Sequence, residues 1–89
     1  MATRTQAASD LAIPPGELLA EELGARALTQ ATLARQMGRP KQAINEIIRG
    51  KKQVTAETAL QLERALGISA EFWLNLETMY RLTIARQSA

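Results

Sequence analysis

The residues whose types and spacing could do chemistry lie in one stretch, from Thr29 to Lys52. Five polar or charged side chains recur there at positions that a helix would turn towards solvent: Lys41, Gln42, Asn45, Glu46 and Arg49. Side chains of these types form hydrogen bonds with the edges of nucleic-acid bases and with phosphate oxygens. The stretch therefore predicts non-covalent recognition of DNA through directed hydrogen bonds.

A second set of residues in the same stretch would fix the backbone geometry. Two short helices that cross closely need a small residue at the crossing, here Ala34, and a turn residue that accepts a positive φ, here Gly38. Ile44 and Ile47 lie three positions apart, so they share the helix face that packs on a neighbour. This spacing predicts a helix-turn-helix, with an ordinary helical hairpin of a small bundle as the alternative.

Positive charge is concentrated in the second half of this stretch. Between Arg39 and Lys52, five basic residues stand against a single acid, Glu46, so the window carries a charge of +4. The whole chain carries +2, which leaves −2 for the rest of it. A positive patch on a slightly acidic body suits phosphate binding, although charged runs are also common on ordinary solvated surfaces.

The composition excludes several classes of function. The 89-residue chain has no cysteine and no histidine, which removes disulfides, thiolate metal sites and the commonest general base. Its carboxylates fall mostly at predicted helix starts and form no convergent pair, so we expect neither an enzyme nor a metal ion or other cofactor. No apolar run is long enough to span a membrane and no signal peptide opens the chain, so we expect a cytoplasmic protein.

Abundant Ala, Leu, Glu, Gln and Arg predict an all-α fold, a compact five-helix domain over residues 13–86 preceded by a flexible tail over residues 1–12. Helices 2 and 3 of this domain form the helix-turn-helix. Four glycines fall at predicted helix ends: Gly24, Gly38, Gly50 and Gly67. The expected helices begin after Pro14–Gly16 and end at Gly24, then cover 30–37, about 40–49, 56–66 and about 70–86.

The predicted fifth helix, within residues 69–86, is too apolar for a single narrow stripe. It contains all three aromatic residues of the chain. In a small domain one apolar face closes the core, and the other is free to associate. We therefore expect a homodimer through this helix, with at least one of its first two aromatic residues in the core instead. The expected interface residues are Phe72, Trp73, Leu76, Met79 and Tyr80.

Four segments together resemble the HigA-type antitoxins, small helix-turn-helix proteins of the XRE (Cro/repressor-like) superfamily. They are residues 15–17, 44–52, 54–60 and 71–76. The last, Glu-Phe-Trp-Leu-Asn-Leu, is the most specific, because generic repressor-like domains do not share it. The resemblance covers roughly residues 13–85. It departs from the family at Pro14, where many members have histidine, and at Arg39, where the family turn usually carries an aliphatic residue.

The resemblance implies that the third helix lies in the major groove with its N-terminal half at the base edges. The base-reading residues would then be Lys41, Gln42, Asn45 and Glu46, although Glu46 is equally well explained as a solvent-facing residue. Phosphate contacts would come from Gln30, Arg39, Arg49, Lys51 and Lys52.

The resemblance also implies two activities: neutralisation of a RelE-like toxin, an mRNA-cleaving ribonuclease encoded beside it, and repression of its own operon through a palindromic operator. The toxin could contact the tail, the acidic side of the first helix or that of the fourth. Two alternatives stay open. One is a stand-alone XRE-family transcriptional repressor without a toxin partner, and the other is a helical protein-interaction adaptor that does not bind DNA.

Overall fold

Five α-helices make up the regular structure of residues 13–88, the part of the chain that the computed structural model describes. They are α1 (Pro15–Ala25), α2 (Gln30–Met37), α3 (Lys41–Ile48), α4 (Ala56–Leu66) and α5 (Ala70–Ser88). The predicted all-α, five-helix fold is confirmed. The predicted tail, residues 1–12, lies outside the described residues. None of the five helices is long and apolar enough to cross a membrane.

Three helices begin at hydroxyl caps, as their sequences predict. Thr29 Oγ1 accepts the Thr32 N–H at 3.0 Å at the start of α2, and Thr55 Oγ1 accepts the Thr58 N–H at 3.3 Å at the start of α4. Ser69 Oγ accepts a backbone N–H of α5 at 3.1 Å in the same way. Each contact satisfies a donor that has no acceptor within its own helix.

The helix ends match the prediction less evenly. Gly38 ends α2 in the left-handed conformation, with φ 67°, which lets the chain turn sharply into α3. The prediction for Gly24 was wrong, because α1 continues to Ala25 and the left-handed residue after it is Ala27, with φ 54°. α3 ends at Ile48, one residue earlier than expected.

The core forms where all five helices meet. α3 packs on α1 and α2, α4 packs on α2 and α5, and α1 also contacts α5. The small residue Ala34 and the anchors Ile44 and Ile47 are all buried, as the helix-turn-helix spacing predicts. The largest fully buried side chains are Trp73, Leu19, Leu33, Ile44 and Leu62. The two helices of the motif therefore pack on each other, and α1 and α4 support them, on α3 and α2 respectively.

Trp73 belongs to this core and not to a surface. Its side chain is 0% exposed, so its assignment to a dimer interface is wrong. Among residues 13–88 its Nε1–H has no acceptor, which makes it a costly group to bury. Its size explains why it is there nonetheless, since one indole contributes a large apolar surface to the core cluster.

The N-terminus of α1 meets the C-terminus of α3 at very close range. A Cβ placed on Gly16 would lie 2.1 Å from the carbonyl oxygen of Ile47 and 2.7 Å from that of Ile48. Only a residue without a Cβ fits there. Gly16 therefore sets the position of α3 relative to α1, which gives a steric reason for glycine in the Pro-Gly-Glu segment.

Candidate nucleic-acid interface

A shallow hollow of about 300 Å³ lies between the start of α2 and the outer face of α3. Its lining residues are Thr29, Gln30, Ala31, Lys41 and Asn45. The Nδ2–H of Asn45 donates to Gln30 Oε1 at 3.3 Å, so two side chains with different expected roles are in contact. Since Gln30 uses its oxygen here, its own amide N–H groups remain available as donors to a phosphate.

Glu46 links two other expected DNA contacts. One carboxylate oxygen accepts from Gln42 Nε2 at 3.2 Å, and the other lies 3.8 Å from Lys52 Nζ. The carboxylate thus orients a base-reading candidate and a phosphate-binding candidate at once. This arrangement assigns Glu46 an organising role that neither of its two sequence-based interpretations included.

The basic loop, residues 49–55 between α3 and α4, begins with exposed Arg49 and continues through exposed Lys51 and Lys52. The N–H groups of both lysines donate to the Glu46 carbonyl oxygen, at 2.8 and 3.2 Å. The loop therefore folds back on the last turn of α3. The Lys52 side chain lies beside that helix, with its Nζ 3.8 Å from the Glu46 carboxylate.

Arg39 is half-buried, and the structure corrects its expected role as an exposed phosphate contact. Its Nη1 donates to Thr58 Oγ1 at 3.1 Å and to Gln61 Oε1 at 3.2 Å, both on α4. The guanidinium thus fastens the turn between α2 and α3 to α4. No local sequence signal could reveal these partners, because they lie 19 and 22 residues further along the chain.

A second surface feature lies on another side of the domain, between α1 and α5. It is an apolar groove of about 430 Å³, lined by Ile13, Glu17, Leu18, Glu21, Phe72, Asn75, Leu76 and Met79. Three of the five expected interface residues, Phe72, Leu76 and Met79, line this groove. Tyr80 instead lines a small recess beside Val54 and Glu77.

Comparison with known proteins decides the family. The helix-turn-helix family matches residues 19–73. The chain is 44% identical over 77 residues to virulence-associated protein I of Dichelobacter nodosus, which covers 85% of this chain and 71% of that protein. An addiction module antidote protein of the HigA family from Coxiella burnetii superposes with a TM-score of 0.81 and 39% identity, over 85% of this chain and 84% of the other.

The chain belongs to the HigA-type antitoxins of the helix-turn-helix family. The resemblance seen in four sequence segments is therefore confirmed. Another solved structure, the antitoxin HigA of Pseudomonas aeruginosa with the higBA promoter, has a TM-score of 0.81 and 35% identity over 85% of this chain and 84% of that one. The solved structures of similar fold thus include one determined with promoter DNA.

Proposed function

We propose that this HigA-type protein binds a palindromic operator as a dimer, represses its own operon and neutralises a RelE-like ribonuclease encoded beside it. The observation that carries the DNA-binding part is the arrangement of α2, α3 and the basic loop. These elements carry exposed cations, the exposed amide of Gln42 and the half-buried amides of Gln30 and Asn45, while the buried Ile44 and Ile47 anchor α3 in the core. The promoter-bound HigA of similar fold supports this proposal.

The roles within the interface divide by position on α3 and its flanks. Lys41 and Gln42 lie in the first turn of α3 and Asn45 lies near its middle. Superfamily geometry brings the N-terminal half of this helix to base edges. Asparagine and glutamine suit adenine, and lysine suits guanine. Gln30, Arg49, Lys51 and Lys52 lie around this group and would contact phosphates.

The dimer would form through the apolar groove between α1 and α5. Phe72 is 46% exposed in the lining of this groove. A second copy packed on this surface would remove Phe72 and the other apolar lining residues from water, at about 25 cal/mol for each Å² of apolar surface buried. The acidic residues Glu17 and Glu21 line the same groove and would form part of its polar rim.

Operator binding would require this dimer. One domain supplies about four phosphate contacts, and each is weakened strongly by salt at cellular concentrations. Two copies double the number of contacts and read half-sites about 34 Å apart. Fluorescence anisotropy on the DNA upstream of the gene, with a scrambled duplex of equal length as competitor, tests this. Equal affinity for both duplexes would contradict operator recognition.

The toxin proposal is tested by coexpression with the product of the adjacent reading frame. A stable complex that relieves cleavage of mRNA by that product supports it. An operator-binding protein that forms no such complex would instead be a stand-alone repressor. If the protein shows no salt-dependent binding to duplex DNA, the remaining alternative is a protein-interaction adaptor.

A further inference from the structure

Glu77 on α5 is a buried carboxylate that sequence analysis did not single out. It is only 7% exposed, although its side chain is ionisable. Its Oε1 accepts the Val54 N–H at 2.8 Å, and its Oε2 accepts from Arg81 Nε at 2.6 Å. Burying a carboxylate is costly unless its oxygens are hydrogen-bonded, and both are. The spacing of four residues to Arg81 was the only sequence signal available.

The Val54 contact lies at the far end of the basic loop. At the near end, the loop is fixed by the N–H groups of Lys51 and Lys52, which donate to the Glu46 carbonyl oxygen. At the far end, the side chain of Val54 is buried and its N–H is held by Glu77. The two lysines thus form the first anchoring point, on α3, and Val54 forms the second, on α5, two residues after Lys52.

We propose that Glu77 is a positioning residue for DNA binding, which holds the basic loop so that Lys51 and Lys52 reach the phosphates. The proposal rests on the DNA-binding function proposed above. Without the carboxylate, the Val54 N–H loses its acceptor, and the far end of the loop is held only by the buried Val54 side chain. The two lysines would then lose conformational entropy on binding each phosphate, which weakens those contacts.

The sign of the effect separates positioning from simple electrostatics. Removing a negative charge from a DNA-binding domain should by charge alone strengthen binding to a polyanion. Loss of positioning should do the opposite. Loss of positioning should also reduce the slope of log affinity against log salt concentration. Each phosphate that the protein neutralises contributes about 0.9 to this slope.

The experiment compares full-length Glu77→Ala and Glu77→Gln with the wild type on the operator duplex, between about 50 and 200 mM salt. Circular dichroism melting first identifies a temperature at which every variant is fully folded. Glu77→Ala should weaken binding roughly tenfold and reduce the salt slope by about one to two per half-site. Glu77→Gln keeps an acceptor for the Val54 N–H, so its operator affinity and its salt slope should both be close to those of the wild type.

Two controls make the outcome decisive. Leu66→Val destabilises the core at the opposite end of α4, about 16 Å from the loop, and should leave the salt slope unchanged. Lys51→Ala/Lys52→Ala should reduce the slope by about two per half-site.

If that double variant lowers the slope while folded Glu77→Ala binds like the wild type or more tightly, the proposed role of Glu77 is wrong and the proposed DNA binding stands. If the wild type does not bind the operator, the proposed function itself is wrong. If the double variant binds with an unchanged slope, the loop does not contact phosphates and the role of Glu77 is also wrong.

Discussion

The amide of Asn45 donates to Gln30 Oε1 over 3.3 Å, which joins the middle of α3 to the first residue of α2. Both helices of the motif thus contribute to one hydrogen-bonded pair within the hollow. The contact restricts the rotation of the Asn45 amide, and the direction of that amide decides which base edge it can match. Gln30 is therefore expected to influence base reading as well as phosphate binding.

The first prediction concerns this pair. Gln30→Ala and Asn45→Ala should each weaken operator binding by about 1–3 kcal/mol, and the double variant should lose less than their sum, because the two side chains act together. Anisotropy titrations of the four proteins give the coupling directly. Gln36→Ala removes another glutamine of α2, one that is exposed. It is the matched control for Gln30→Ala and should have little effect on operator affinity. Strictly additive losses would contradict the coupling.

The second prediction contrasts two arginines. Arg39→Ala removes hydrogen bonds to Thr58 and Gln61, so it should lower the free energy of unfolding by about 1.5–3 kcal/mol. It should leave the salt slope of DNA binding nearly unchanged. Arg49→Ala should behave in the opposite way, with unaltered stability and a slope lower by about 0.9 per half-site. Denaturant unfolding and salt-dependent titration measure the two quantities; the same pattern for both arginines would refute the distinction.

The third prediction uses two glycines of the same helix. Gly16→Ala should destabilise the fold by about 3 kcal/mol or more, because its Cβ would lie 2.1 Å from the Ile47 carbonyl oxygen and α3 would have to move. Gly24→Ala places its Cβ in open space within α1 and should stabilise the fold by about 0.5–1 kcal/mol. Thermal and urea unfolding of both variants test this. Equal effects would show that the close approach of α1 and α3 is not rigid.

The fourth prediction concerns the groove between α1 and α5. Phe72→Glu puts a charge on its exposed lining and should yield a folded monomer with weakened operator binding. Leu60→Glu is the control, because Leu60 is similarly exposed, at 49% against 46%, but does not line the groove. Sedimentation velocity gives the oligomeric state of each. A Phe72→Glu protein that remains dimeric would exclude this surface as the interface.

Trp73→Ala cannot serve as a test of dimerisation. Since the indole is fully buried, its removal should cost about 3–5 kcal/mol and unfold part of the population. Any loss of DNA binding would then reflect the fold and not the interface. The groove residues Phe72, Leu76 and Met79 give the informative variants.

Local chemistry let the sequence determine most of the fold. The hydroxyl caps at Thr29, Thr55 and Ser69 depend on residues three positions away, so they can be read from the chain alone. The same holds for the buried pair Ile44 and Ile47, because helical spacing places both on one face. The polar face of α3 follows from the same periodicity, and the charge of +4 over residues 39–52 can be counted directly from the sequence.

Tertiary structure decided the contacts between distant parts of the chain. Arg39 was expected at the surface but is bonded to α4, and Glu77 fixes Val54 from 23 positions away. Trp73 is in the core although it is next to Phe72, which lines the groove, because neighbouring residues of a helix point about 100° apart. Which side chains are buried, and which contact distant residues, depends on how all five helices pack together. A local sequence pattern does not contain this information. The sequence by itself specified the helices and the polar face of α3, whereas the packing decided which side chains organise that face and which remain exposed in the groove between α1 and α5.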